Sequence, residues 1–306
     1  MKRGARVLTA AAFATAIAGC MRREPVQCVS FPVMGTLASV SVSASDSTRL
    51  DEAVRLTRET LEDLEARLSI FRPSSEISAV NRLAGLGFAP ISADTRALLE
   101  AAVRHGEMSG GAFDITVGPL MRAWRFRGDG ERAEAPPDPD RIKEAMALVG
   151  FRRLRFGPEG VMLESAGMQV DLGGIAKGYA LDACCERLAA AGITNALVNL
   201  GGNVRCLGLA APGRPWRVGV RDPFEPDRLL GVLSLSNGLA VATSGGYERF
   251  VTLGGKRYPH IMDPRNGLPA QGMAGVTVLA RSGLDSDALS TALFVLGPGQ
   301  GSLTLE

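Results

Sequence analysis

Three short segments carry the residue types that chemistry needs. The first is Val170-Asp171-Leu172-Gly173-Gly174-Ile175-Ala176-Lys177-Gly178-Tyr179-Ala180-Leu181-Asp182. A strand-like run ends in a carboxylate, two glycines turn the chain, and a helical run begins with Lys177 in its first turn. Free N–H groups at a helix start attract phosphate, and glycines let it come close. The GxxxxGK[ST] spacing of a Walker loop is absent, and by itself the segment reads equally as a tight strand-to-helix turn. The second segment is Asp287-Ala288-Leu289-Ser290-Thr291. Asp287 and Thr291 are i and i+4, so on a helix they share a face. A carboxylate and a hydroxyl are hard oxygen ligands suited to Mg²⁺, although a helix-start acid explains Asp287 as well. The third is Tyr258-Pro259-His260-Ile261-Met262-Asp263-Pro264-Arg265-Asn266-Gly267. A strand ends in a lone His260 beside a tight turn, where ligand-facing residues are common.

These segments need a scaffold, and the spacing of apolar residues outlines it. Val29 to Ser43 alternates as a strand, a kink at Met34-Gly35-Thr36, and a strand. Leu50, Ala53, Val54, Thr57, Leu61, Leu64 and Leu68 follow helical spacing, with Asp46 or Ser47 as the cap. Phe71 to Glu76 reads as a loop and Ser92 to Met108 as a second helix, stopped by Gly110-Gly111. Phe113 to Trp124 contains Pro119 and suggests a short helix or turn. Gly128 to Asp140 is charged and Pro-rich, an exposed excursion restarted by Asp138-Pro139. Val161–Leu163 and Gln169–Leu172 are expected to pair as a hairpin. A helix runs from Ile175 to about Ala191. Short β segments follow at 195–200, 203–209, 216–221, 229–235, 239–243, 249–253, 256–261 and 276–281, with Gly254-Gly255 as a hairpin turn. Residues 285–296 form a last helix. Consecutive short strands favour antiparallel pairing, so the fold class is α+β, mostly antiparallel sheets with packed helices.

Composition narrows the function further. The chain has 306 residues, 46% hydrophobic and 22% charged, which is globular rather than disordered. With 34 basic and 32 acidic residues, net charge is +2, and no basic run marks a nucleic-acid binder. Two histidines, His105 and His260, exclude a His-rich metal centre. Cys28, Cys184, Cys185 and Cys206 match no zinc spacing. They read as mostly buried free thiols, because an adjacent Cys184–Cys185 bridge would be strained.

The N-terminus is an export signal. Lys2, Arg3 and Arg6 precede an apolar stretch, Val7 to Ala18, too short for a stable membrane span. Ala18-Gly19-Cys20 then resembles a bacterial lipoprotein signal. That implies a signal peptide over 1–19, lipidated Cys20, a tether over 20–28 and a folded domain over 29–306. The expected location is the cell envelope, lipid-anchored to the membrane on the periplasmic side.

Taken in order, the motifs resemble the ApbE family of flavin-transferring lipoproteins, the FAD:protein FMN transferases. The resemblance runs from about Val33 to Leu296 and rests on eight motifs. They are Met34-Gly35-Thr36, Phe71–Ser78, Phe113–Leu120, Asp171–Tyr179, Asn199–Asn203, Thr243-Ser244-Gly245, His260–Pro264 and Asp287–Thr291. It implies a T-fold-like α+β domain that splits FAD, moves FMN onto a Ser or Thr hydroxyl of an acceptor protein through a phosphodiester, and releases AMP. By the same resemblance Met34, Phe71, Ala112, Phe113, Asp114, Asp171, Lys177, Ser244 and Ile261 would contact FAD. Gly174 (through its carbonyl), Asp287 and Thr291 would bind Mg²⁺, with Ser290 where some relatives carry an Asp ligand. For the proton of the target hydroxyl the candidates are His260 or, in its place, an acid such as Asp287. Gly246 departs from the family, where a polar residue is common, and relatives often continue through another strand after Leu296-Gly297-Pro298. Two other readings share these residues: an FAD-binding lipoprotein without transfer, and a Mg²⁺-dependent FAD pyrophosphatase.

Overall fold

Period-two burial is written into the first strands. The computed structural model describes residues 26–126, 135–225, 227–247 and 250–301. Strands β1 (Gln27–Val33) and β2 (Thr36–Val42) form a hairpin across Met34 and Gly35, both at positive φ (50° and 65°), as the tightest hairpin turn requires. Ala38, Val40 and Val42 of β2 are buried alternately, and each faces a buried partner of β5 (Ala196–Leu200): Leu200, Val198 and Ala196. This places one continuous apolar face on the sheet.

Helices cover that face. A 3₁₀ turn over Ala44–Arg49 leads into α1 (Leu50–Leu68), which buries Ala53, Leu56, Leu61, Leu64 and Leu68. The expected cap at Asp46 or Ser47 is corrected: both lie within the 3₁₀ turn, and Ser43 precedes it. Residues 76–82, left outside any helix by the sequence reading, form the short helix α2 (Glu76–Arg82), with the Ser75 hydroxyl accepting from Ser78 N–H at 3.0 Å. Helix α3 (Ala93–Met108) begins at its Ser92 cap as expected. Then come α4 (Gly118–Ala123), with Pro119 in its first turn, and α5 (Pro139–Met146), capped by Asp138. The expected excursion at 128–140 lies mostly outside the described residues.

The expected hairpin of 161–163 with 169–172 does not form. Strand β4 (Gly160–Leu163) pairs instead with β3 (Leu154–Gly157), and Gln169 makes one isolated parallel bridge to Val117. Helix α6 (Ala176–Ala190) follows the Gly173-Gly174 turn. Strands β5, β6 (Asn203–Leu207), β9 (Ala240–Gly245) and β14 (Gly275–Ala280) complete a six-stranded sheet of order β1-β2-β5-β6-β9-β14, every pairing antiparallel. Four two-stranded ribbons flank it, β3–β4 and three later ones: β7 (Trp216–Arg221) with β8 (Leu229–Leu235), β10 (Phe250–Leu253) with β11 (Lys256–Pro259), and β12 (Met262–Asp263) with β13 (Leu268–Pro269). The β10–β11 turn is Gly254-Gly255, both at positive φ, as the sequence implies. Helix α7 (Gly283–Gly301) packs on α6, β9 and β14, and its helical geometry breaks at Gly297. The α+β, antiparallel expectation holds. Cys184, Cys185 and Cys206 are buried free thiols and Cys28 is an exposed one. The signal peptide, Cys20 and most of the tether lie outside the described residues.

Candidate active site

Helix α6 starts without a side-chain cap of its own. Leu172 O accepts from Ala176 N–H at 2.9 Å, and Ile175, the capping residue, supplies no side-chain acceptor. The missing acceptor comes from α7: Asp287 Oδ2 takes Gly178 N–H at 2.9 Å. A carboxylate is favourable at that position, where the partial positive charge of the helix is concentrated. Only glycines allow the two helices to come this close. A Cβ on Gly178 would stand 2.7 Å from Asp287 Cβ and inside the Gly283 carbonyl. A Cβ on Gly283 would stand 2.5 Å from Gly178 O.

Asp287 is 3% exposed and its other oxygen is also held. Asn203 Nδ2 donates to Oδ1 at 2.8 Å, and Lys177 Nζ lies 3.5 Å from the same atom. Lys177 is half-buried, so its ammonium reaches the carboxylate from the open side. One turn further along α7, Thr291 Oγ1 donates to Asp287 O at 3.3 Å, which leaves the hydroxyl lone pairs free to accept. The Cβ that Gly174 lacks would sit 3.0 Å from Thr291 Oγ1 and 3.2 Å from Phe113 Cε2. Gly174, Asp287 and Thr291 therefore come together across the α6–α7 junction. Ser244, at the end of β9, is 2.9 Å from Ser290 Oγ and 3.3 Å from Thr291 Oγ1. Ser290 is fully buried and donates to Asp287 O at 2.8 Å, so its hydroxyl serves as a brace inside the junction.

This donor set suits a hard cation. One carboxylate and one hydroxyl, at a junction kept open by Gly174, match the oxygen preference of Mg²⁺, which usually retains several waters. Among the described residues no group of three or more His, Cys, Asp or Glu could hold a metal, so such a site would rest on one carboxylate with neutral oxygens and water.

Other expected contacts lie around this junction. Phe113 is buried and stands against the open side of Gly174. Ala112 and Ile261 share an apolar cluster with Phe294, which lies one turn beyond Thr291 on α7. Met34 occupies the positive-φ turn of the first hairpin and packs on the main core. Phe71 is 77% exposed in the loop between α1 and α2. His260 is half-buried and immediately precedes Ile261. Asp171 N–H donates to Ile115 O at 2.6 Å and its Oδ1 takes Gly173 N–H at 2.9 Å, which shapes the glycine turn.

Asp114 has a different character from the one its motif suggests. Its carboxylate accepts from Thr116 N–H at 2.7 Å, Thr116 Oγ1 at 2.6 Å and Phe151 N–H at 2.9 Å. Burial pushes its pKa up, and those hydrogen bonds oppose the shift. Its oxygens are spent on the scaffold that carries Phe113. Three residues of the junction had no role in the sequence reading: Asn203, Gly178 and Asp182. Asp182 accepts from Gly283 N–H at 2.6 Å, Leu284 N–H at 3.0 Å and Ser282 Oγ at 2.9 Å, and pairs with Arg205 at 2.6 Å. Asn203 lay inside a noted motif, and the two glycines flanking it in type (Gly201-Gly202) were the only local signal.

Comparison with known proteins places the chain in a family. The sequence model of the ApbE family matches residues 34–306. An FAD:protein FMN transferase of Treponema pallidum is 40% identical over 282 residues, spanning 87% of this chain and 77% of that protein. One of Haemophilus influenzae is 33% identical, spanning 97% and 88%. The crystal structure of the ApbE protein from Thermotoga maritima superposes with a TM-score of 0.83 at 33% identity, covering 92% of this chain and 90% of that one. The apo flavinyl transferase ApbE of Pseudomonas stutzeri gives 0.81 at 32% identity, covering 92% and 88%.

Proposed function

The chain belongs to the ApbE family, and from that premise we propose that it transfers FMN from FAD to a protein hydroxyl with Mg²⁺ held by Gly174 O, Asp287 and Thr291. Transfer of FMN from FAD to protein is the activity of its relatives and of this chain. The observation that carries the metal reading is the convergence of the Asp287 carboxylate, the Thr291 hydroxyl and the open side of Gly174 at one helix junction. When bound there, Mg²⁺ would supply neutralisation of the pyrophosphate charge.

The protein's own residues divide the remaining work. The α6 start, with Gly173 and Gly174 lacking side chains, offers N–H groups and close approach to pyrophosphate oxygens. Lys177 adds a positive charge on the same side. Phe113, Met34, Phe71 and Ile261 supply apolar surface for the flavin, and Ala112, Asp114, Asp171 and Ser244 shape the walls. The acceptor's Ser or Thr oxygen attacks the FMN-side phosphorus, the bond to the AMP-side oxygen breaks, and AMP leaves. The hydroxyl proton passes to His260, since an imidazole is the side chain most used for proton transfer. Asp287 is the poorer base, because it is the carboxylate assigned to the cation. Positioning and charge stabilisation dominate such phosphoryl transfers.

The export reading belongs to the same proposal: a Cys20 lipid anchor on the periplasmic side of a bacterial membrane, supported by the basic start, the apolar run and Ala18-Gly19-Cys20. Among the described residues no helix is long and apolar enough to cross a membrane. Incubation with FAD, Mg²⁺ and a flavin-acceptor peptide, followed by mass spectrometry, tests the function. A peptide carrying FMN with release of AMP supports transfer. FMN and AMP without an adduct would make the protein a hydrolase, and unchanged FAD a binder.

A further inference from the structure

The register of the sheet gives it two chemically different ends. At one end lie Met34 after β1, Gly201 after β5, Asn203 opening β6 and Ser244 near the close of β9, all around the candidate site. At the other end Gln27 pairs with Val42, Val42 with Ala196, and Ala196 with Leu207. Gln27 is where the chain enters from Cys20. Leu207 is where the β7–β8 hairpin is rooted: Trp216 Nε1 donates to Leu207 O at 3.0 Å, and Trp216 and Leu235 pack with Cys206 and Val204. Three strand spacings, roughly 15 Å, separate tether entry from hairpin root.

The outer half of that hairpin is apolar and bare. Phe224 is 81% exposed, Leu230 63% and Leu229 54%, and Val232 is also exposed. The root packs on the sheet, whereas none of these four side chains joins a core cluster. A patch of this kind on a small ribbon needs a cover. Arg217 and Arg221 are exposed on β7 on either side of half-buried Val218 and Val220, and Asp222, Glu225, Asp227 and Arg228 lie near the tip, so the ribbon is close to neutral.

We propose that the β7–β8 tip, with Phe224, Leu229 and Leu230, inserts into the lipid surface to which the chain is anchored, and so holds the candidate site on the side of the domain away from the membrane. The inference rests on the lipid-anchor reading. Seven residues lead from Cys20 to Gln27, a reach of at most roughly 25 Å when extended. An anchor that short keeps the Gln27 end of the sheet close to the bilayer, and the apolar tip is rooted at that same end. Aromatic and leucine side chains with flanking arginines suit the interface, where the guanidinium groups reach the headgroups. The opposite end then faces the compartment from which FAD and an acceptor protein arrive.

The test uses the mature chain (residues 20–306), made without a leader and with Cys20→Ser so that no acyl chain contributes. Every described element is retained. Co-sedimentation is measured with vesicles of phosphatidylcholine alone and with added phosphatidylglycerol. The expected result is binding to both, little changed by salt, and about tenfold or more weaker for Phe224→Ser/Leu229→Ser/Leu230→Ser. The melting temperature should not move, since these side chains are exposed. Absence of vesicle binding, or equal binding by the triple variant, overturns the proposal. So does a dimer in sedimentation velocity that the triple variant abolishes, which would make the tip a contact between copies. A raised KM for acceptor peptide without a change in vesicle binding would assign it to the acceptor. Labelling of Cys20 by palmitate in cells tests the anchor separately, so failure of one reading is not failure of the other.

Discussion

Asp182 of α6 accepts the opening N–H groups of α7, from Gly283 at 2.6 Å and Leu284 at 3.0 Å, while Asp287 of α7 accepts Gly178 N–H of α6 at 2.9 Å. Each helix thus receives its N-terminal carboxylate from the other. The arrangement fixes the spacing and rotation of the two helices together, and it is this pairing that brings Gly174 beside Thr291.

Asp182 should therefore matter for metal affinity without touching the metal. Asp182→Ala leaves the Arg205 guanidinium without its carboxylate in a mostly buried place and strips α7 of its cap. A stability loss of about 3–5 kcal/mol is expected, read as a lower denaturation midpoint. Asp182→Asn should keep most of the fold yet weaken Mn²⁺ binding, followed by electron paramagnetic resonance. Unchanged Mn²⁺ affinity in a folded Asp182→Asn protein would show that the caps do not set the site.

Two glycines should respond differently to the same added methyl. At Gly178 the Cβ meets Gly283 backbone and Asp287 Cβ, and neither can yield without parting the helices. Gly178→Ala should cost at least about 2 kcal/mol and most of the activity. At Gly174 the neighbours are the tips of Thr291 and Phe113, at 3.0 and 3.2 Å. Gly174→Ala should fold with a near-normal melting temperature and lose FAD and metal binding. Equal stability loss in both variants would contradict the distinction.

The sequence announced α1, α3, α6 and α7, because each has apolar spacing and a capping or glycine signal at an end. It missed α2, since seven residues give too few turns for a period to show, and Ser75 looked like part of a loop. It mispaired β4, because Gln169–Leu172 is as apolar as a strand, while β3 has only four residues and follows directly on Arg152 and Arg153. At the site, Gly174, Asp287 and Thr291, which the fold brings together, each lay in a family motif. Asn203 and Asp182 were not, because their partners lie 84 and 101 positions away and only the fold joins them. Asp114 was legible as a motif residue, but its inward carboxylate was visible only in three dimensions.

His105 gives the fold a pH dependence of known sign. Burial lowers its pKa below the ordinary 6.5, while the Asp285 carboxylate, 3.0 Å from Nε2, opposes the shift. The folded state then binds fewer protons than the unfolded chain between the lowered value and 6.5. Stability from this group is present above pH 6.5 and is lost as pH falls through the folded value. Melting temperatures between pH 7.5 and about 5 should fall more steeply for the native protein than for His105→Gln. Parallel curves would remove His105 from the account.

Thr291 and Ser290 separate ligand from brace. Thr291→Ala should slow transfer by about 10- to 100-fold, with partial recovery at raised Mg²⁺. Ser290→Ala removes a buried hydrogen bond to Asp287 O, so it should lower stability by about 1 kcal/mol with little change in Mg²⁺ dependence. The reverse order of Mg²⁺ effects would exchange their roles.

Asp287 is the proposed ligand of the cation, and FMN transfer should depend on it. The most direct test is the rate of FMN–peptide adduct formation across a Mg²⁺ titration, compared between the native protein and Asp287→Asn. The asparagine oxygen can still accept Gly178 N–H, and its Nδ2 can donate to Asn203 Oδ1 once the Asn203 amide turns over, so the helix junction should survive while the charge is lost. The account predicts a folded variant that still binds FAD, with adduct formation reduced on the order of a thousandfold and no saturation at Mg²⁺ concentrations that saturate the native enzyme. Native rates with an unchanged Mg²⁺ midpoint in Asp287→Asn would contradict it, and would return Asp287 to the single role of capping α6.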